Sequence, residues 1–183
     1  ILRVHFLLGL KRFFTKNIVV KFKILLKLSV LTVMAISLLS VIFVRFVNPP
    51  FTSLMIWQSN FFEKKIHYSW LSLDQMRDNI ALAVIATEDS RFCDHIGLDL
   101  REIYTVVSKR QNRGASTITQ QLANNLFLWP ERSWIRKGIE LYFTILIELI
   151  IPKRRILEIY LNIVETGPLS YGVNAASKKY YGK

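Results

Sequence analysis

The sequence predicts a mainly α protein, and three observations carry that prediction. Apolar residues return at helical spacing in one segment after another, and no segment alternates convincingly with a period of two. The third is an uncharged run from Leu28 to Val44 that, with Arg45 snorkelling, extends to Val47 and approaches the ~20 residues a helix needs to cross a bilayer.

The flanks of that run are uneven. Arg3, Lys11, Arg12, Lys16, Lys21, Lys23 and Lys27 precede it, whereas Asn48, Pro49 and Pro50 come after it. The positive-inside bias keeps the N-terminus in the cytoplasm and exports the residues beyond the run. No small-x-small cleavage site lies after the run, which favours an uncleaved anchor over a signal peptide. The 183 residues thus divide into a basic cytoplasmic N-terminus (1–27), a transmembrane anchor (28–47), a connector (48–70) and one exported domain (71–183). The chain starts on Ile and stops after "KKYYGK" without a polar tail, so the domain is expected to be truncated at its C-terminus.

Net charge is +12, but the first 47 residues hold eight of the 25 basic side chains, leaving 17 against 13 acidic ones in the remainder. That small excess does not call for nucleic acid; it fits a domain near anionic lipid or one that handles a phosphorylated substrate. Cys93 is the only cysteine, which excludes an internal disulfide and a cysteine-based zinc site. It is read as a small packing residue, and His5, His67 and His95 are too scattered to form a metal site.

In the exported part, Pro49 and Pro50 stop the membrane helix. "LSLDQMRDNIALAVIATEDSRF" then offers Asp78 as a cap and Ile80 to Ala86 as a buried helix ending in acids. Glu88 shares a face with Ala81, Val84 and Ile85, which places it at the edge of the core, where desolvation would raise its pKa toward the range useful for proton transfer. For an isolated glutamate, an exposed acid at the helix end is the plainer reading.

A turn at Gly97 leads to a helix over Leu100 to Lys109, and the polar, basic "SKRQNRG" from Ser108 to Gly114 is expected to be a mobile loop. In "RGASTITQQLANNLFLW", Thr117 and Gln120 fit a capping box. Ile118, Leu122 and Leu126 can face the core while Gln120, Gln121, Asn124 and Asn125 share the other side. "SWIRKGIELYFTILIELI" is apolar nearly all round, except that Arg136, Lys137, Glu140, Thr144 and Glu148 fall in a sector of about 120°. Such a stripe means a polar groove or an internal ion-pair network. "IPKRRILEIYLNIVETG" predicts a helix with Pro152 near its first turn and Gly167 near its stop. Lys153, Arg154 and Arg155 stand where the helix dipole disfavours cations, so negative partners would help explain them, although a solvated face is the ordinary explanation. "YGVNAASKKYYGK" predicts one more short helix.

In this order, "ATEDSRFCDHIGLDL", "GASTITQQLANNLFL", "RKGIE", "RRILEIYLNIVETG" and "YGVNAASKKYYGK" resemble the motifs of the family 51 glycosyltransferases, the peptidoglycan glycosyltransferases. The resemblance runs from about Trp70 to the last residue. "FLWPERSWIRKGIE" and "NPPFTSLMIWQ" are similar to the monofunctional proteobacterial members, and the S-x-x-K and K-T-G motifs of a transpeptidase domain do not occur. The resemblance implies a lysozyme-like helical glycosyltransferase domain with a small second lobe, on the periplasmic face of the cell inner membrane. It implies joining the 4-hydroxyl of an incoming lipid II N-acetylglucosamine to C1 of the growing chain's N-acetylmuramic acid. The linkage is β-1,4, formed with inversion and release of undecaprenyl pyrophosphate, for cell wall biogenesis. Implied partners are lipid II, the growing glycan, membrane lipid and other cell wall synthesis proteins, with no nucleic acid. The family often uses a divalent cation at the pyrophosphate, but no metal ligand among the residues is implied by the resemblance.

Residue by residue, Glu88 matches the motif-one glutamate that the family uses as general base, and Asp89 and His95 match neighbours assigned to support. Glu140 matches the glutamate of R-K-x-x-E, expected to orient the donor or assist the leaving group. Arg132, Arg136 and Lys137 match basic positions expected to hold pyrophosphate, a task suited to the guanidinium fork. Ser116, Gln120, Gln121 and Asn125 match motif two and are expected to line the cleft; Tyr160 and Asn162 match motif four, where packing is expected.

Asn124 is the departure, because family members have a lysine there that is expected to contact the diphosphate. Losing a charge-assisted contact typically costs ~1.5–3 kcal/mol, roughly one to two decades in binding or rate. That departure, with the chain's ends, motivates an alternative: a catalytically impaired or truncated remnant acting as a scaffold of the wall-synthesis complex. A lysozyme-like hydrolase is a third reading, disfavoured by the basic R-K-x-x-E patch and the anchor.

Overall fold

The structure is a computed structural model that describes residues 2–110 and 114–182 and, within the first helix, side chains from Val19 onward. Gln111, Asn112 and Arg113, in the expected mobile loop, lie outside the described residues. Residues 1–40 form one compact unit and residues 41–183 another. The first belongs to helix α1 (Leu2–Phe46), of which Val19–Phe46 is long and apolar enough to cross a membrane. That stretch contains the uncharged run and also takes in Lys21, Lys23 and Lys27.

In the second unit, the last turns of α1 contribute Val41 and Val44 to the core. Helix α2 (Ser53–Gln58) comes after Pro49 and Pro50; Thr52 caps it by accepting from Met55 N at 3.2 Å, and Met55 is fully buried. Strand β1 (His67–Tyr68) and a single 3-10 turn (Leu73–Gln75) lead to α3 (Asp78–Glu88), α4 (Leu100–Ser108), α5 (Ile118–Phe127), α6 (Trp134–Ile150) and α7 (Lys153–Ile163). Strands β2 (Glu165–Gly167) and β3 (Ser170–Tyr171) precede α8 (Val173–Tyr181).

Helix α5 is the centre of the packing, against α6, α7 and α2. Ile118, Leu122 and Leu126 are buried as their spacing predicts, in one apolar cluster with Met55, Ile147, Ile156, Ile159 and Ile163. Fully burying each such side chain contributes about 1.5–3 kcal/mol. The Thr117–Gln120 capping box forms as predicted: Gln120 N donates to Thr117 Oγ1 at 3.2 Å and Thr117 N donates to Gln120 Oε1 at 3.0 Å.

The basic start of α7 finds its partners. Lys153 Nζ donates to Glu148 Oε1 at 2.8 Å, Arg154 pairs with Asp74, and Arg155 bonds Glu158 at 2.7 Å. Arg155 also donates to the carbonyls of Val44 and Val47 at 3.1 Å each, while Arg45 donates to Ile150 O at 2.6 Å. Two arginines thus satisfy carbonyls at the ends of α1 and α6 that their helices leave orphaned.

Several local expectations are corrected. Asp78 lies in the first turn of α3, and Arg77 takes the cap position without a side-chain bond. Helix α3 has no fully buried residue, and α6 exposes Ile135, Ile145 and Leu149, because each packs through one face only. Cys93 is exposed, so it is not a packing residue. "ETG" is strand rather than helix end, and β1, β3 and β2 form a three-stranded sheet in that order, β1 parallel and β2 antiparallel to β3. Strands of two or three residues are too short for a period-two signal. Gly172 makes the sheet's close approach to α7 possible, since at φ +83 a Cβ there would lie 2.3 Å from Asn162 O.

Candidate active site

The site is built around the N-terminus of α5. Asp89, just past the end of α3, accepts from Ile118 N at 3.0 Å through Oδ2 and lies 2.8 Å from His95 Nε2 through Oδ1. Gly97 N donates to His95 Nδ1 at 3.1 Å, so Nε2 carries the hydrogen and donates to Asp89. Thr117 Oγ1 donates to Gly97 O at 2.6 Å. Asp89 and His95 therefore tie the turn at Gly97 to the first turn of α5, the supporting part expected of them.

Asp99 caps α4 by accepting from Glu102 N at 2.8 Å and pairs with Arg91 through both oxygens. Burial alone would raise its carboxyl, but the Arg91 guanidinium and the Glu102 amide outweigh that and hold it below the usual carboxylate range. Asp89, His95 and Asp99 lie close enough together to suggest a metal site. Their atoms are already committed to these bonds, so the donor set does not fit a bound ion.

The α6 stripe divides into both alternatives that its pattern allows. Thr144 and Glu148 belong to an interior network: Thr119 Oγ1 donates to Glu148 Oε1 at 2.5 Å, beside Lys153, and Thr144 Oγ1 donates to Glu140 O at 2.7 Å. A Cβ on Gly97 would meet Thr144 at 2.7 Å and Glu148 at 2.9 Å, so only glycine fits that turn. The other end of the stripe, Arg136, Lys137 and Glu140, lines a cleft of about 520 Å³.

That cleft collects Ser116, Gln120, Gln121, Asn124, Asn125, Arg132, Arg136, Lys137 and Glu140, so all the candidate substrate-binding residues and one candidate catalytic glutamate share one wall system. Glu140 is buried; Lys137 donates to its Oε1 and Arg136 to its Oε2 at 3.4 Å. Arg136 also donates to Asn124 Oδ1, so the asparagine carbonyl draws a guanidinium into the cleft. Leu54, Gln58, Val164 and Glu165 line it too. Sequence reasoning missed these four. Thr52 followed by Leu54, Met55 and Ile56 is a cap and apolar run that could have revealed α2, and Glu165 lies within the quoted "RRILEIYLNIVETG".

Glu88 lines a smaller adjoining cleft of about 150 Å³ with Asp89, Asp99, Glu102 and Ser116. It is exposed, as the plainer reading of an acid at the helix end has it, although Val84 and Ile85 on its face do pack against the core. Gln121 Nε2 donates to its Oε2 at 2.9 Å, and Ser116 lines both clefts. Asn162 is structural as expected, bonding Leu71 N and O at 2.7 and 2.8 Å.

A carboxylate beside a cation-lined cleft on a helical domain defines a class, and comparison with known proteins agrees. A family model for transglycosylases matches residues 57–183, and the chain belongs to that family. Three relatives named biosynthetic peptidoglycan transglycosylase illustrate the similarity. That of Shewanella oneidensis is 50% identical over 154 residues, covering 80% of this chain and 66% of the relative. That of Bdellovibrio bacteriovorus is 48% identical over 153 residues, covering 77% and 60%. That of Stutzerimonas stutzeri is 44% identical over 176 residues, covering 87% and 70%. The chain thus spans somewhat less than two thirds of the length of the first two relatives.

Proposed function

We propose that this chain is a membrane-anchored peptidoglycan glycosyltransferase that polymerises lipid II and releases undecaprenyl pyrophosphate. The observation that carries the reading is the adjacency of two clefts sharing Ser116, one holding Glu88 and the other Arg132, Arg136 and Lys137. A proton acceptor next to a basic cleft is what glycosyl transfer from a lipid-pyrophosphate donor requires.

Glu88 takes the proton of the acceptor's 4-hydroxyl, and that oxygen forms its bond to C1 of the donor sugar from the face opposite the pyrophosphate. The C1–O bond to pyrophosphate breaks, its electron pair leaves with the phosphate, and the configuration inverts. Arg132, Arg136 and Lys137 hold the departing charge, and Glu140, bonded to two of them, fixes where they stand. Both Glu140 oxygens are engaged by these cations, so the cleft residues do not fit a protein-held divalent ion. The polar amides Gln120 and Asn125, with Ser116, form the sugar-facing wall. The positive-inside bias places the basic N-terminus in the cytoplasm and the clefts on the outer face of the inner membrane.

The test is the full chain in detergent with labelled lipid II. The parent should produce polymer, and Glu88→Gln should reduce the rate by at least the ~10²–10⁴-fold typical of removing a general base. Equal rates would refute the assignment of Glu88. Shortening of preformed glycan, with no polymer, would instead show a hydrolase.

A further inference from the structure

We propose that Tyr160 is a positioning residue for the base: from α7 it fixes the Gln121 amide, and through that amide it anchors one oxygen of Glu88. The proposal rests on the reading of Glu88 as the proton acceptor. Its basis is a chain of hydrogen bonds across three helices. The Tyr160 hydroxyl donates to Gln121 Oε1 at 2.9 Å, and Gln121 Nε2 donates to Glu88 Oε2 at 2.9 Å.

Chemistry sets the direction of that chain. An ionised carboxylate only accepts, so the NH₂ end of Gln121 faces Glu88; Oε1 then faces Tyr160, which has to donate. Tyr160 is 2% exposed. Burial, and then the negative charge of Glu88 and Asp89, pushes its phenol above the ordinary range, so it keeps its proton. The terminal torsion of a glutamine is soft, and an amide bonded only to Glu88 would retain that freedom. The bond from Tyr160 removes it. Among the described residues no hydrogen bond reaches Glu88 Oε1, so holding Oε2 leaves Oε1 for the incoming hydroxyl.

A packing role alone makes no use of the hydroxyl, because phenylalanine fills the same core space. The distinction can be measured with the full chain in detergent and labelled lipid II. Tyr160→Phe should lower kcat about three- to tenfold, the effect of one neutral hydrogen bond, with KM within about twofold. Gln121→Ala should also lower kcat, and adding Tyr160→Phe to it should cost nothing further, because Tyr160 acts through Gln121. Additive losses would overturn the proposal. Undiminished polymerisation by Glu88→Gln would sink the base assignment without touching the Tyr160–Gln121 link, which has its own readout. With ¹⁵N-glutamine labelling, the side-chain amide signal missing from Gln121→Ala should move in Tyr160→Phe and in the surface variant Glu88→Ala. A signal that stays in place in either folded variant overturns the proposal, whatever the activity.

Discussion

At the scale of single residues, Asn124 gains a defined part. Its carbonyl accepts from Arg136, which also faces Glu140, so the asparagine takes part in holding a guanidinium in the cleft. Replacing Asn124 by lysine would add a charge and at the same time remove Arg136's acceptor and set two cations against each other. Those effects oppose, and kcat/KM for lipid II polymerisation is expected to change by less than about threefold. Asn124→Ala removes the acceptor with no compensating charge and should lower kcat/KM about three- to tenfold. A gain of tenfold or more in the lysine form would show that the cleft lacks charge and that Arg136 does not supply it.

At the scale of elements, the cap and buried face of α5 were legible, whereas the cap of α3 and the extent of burial of α3 and α6 were not. The Thr117–Gln120 box and the Ile118, Leu122, Leu126 face arise directly from local chemistry, and α5 forms as they require. The site's amides were legible as a polar face, and Gln120 as part of the cap, but not that Gln121 joins Tyr160 to Glu88 and Asn124 holds Arg136. The partners of Gln121 and Asn124 come from α3, α6 and α7, and only tertiary packing brings them together. The exposure of Glu88 was legible as the plainer reading of an acid at a helix end: periodicity puts it on the apolar face of α3, but the core does not reach the helix's last turn.

The network at the start of α4 yields a pH prediction. The carboxyl of Asp99 is held below the usual range in the folded chain, so it stabilises the fold above its unfolded value of about 3.9 and that contribution is lost as pH falls through the lower folded value. Asp99→Ala should therefore unfold more easily than the parent at pH 7, by about 0.5–2 kcal/mol for the lost cap. The gap should narrow below about pH 4 when thermal unfolding is monitored by circular dichroism. A gap equally wide at pH 3 and pH 7 would show that the ionised carboxylate is not what stabilises the α4 start.

At the scale of the whole molecule, the reading depends on which side of the membrane holds the clefts, and one side chain makes that testable. Cys93 is the only cysteine in the sequence and it is exposed, on the segment between α3 and α4. An exposed thiol reacts with a maleimide, and a charged maleimide does not cross a bilayer. If the basic residues before Val19 stay in the cytoplasm, the full chain in intact spheroplasts should be labelled at Cys93. A companion chain with Cys93→Ser and Asn17→Cys should be labelled only after the membrane is permeabilised. The reverse pattern would put the clefts in the cytoplasm, away from a donor and acceptor polymerised outside, and would remove the proposed reaction even with every cleft residue in place.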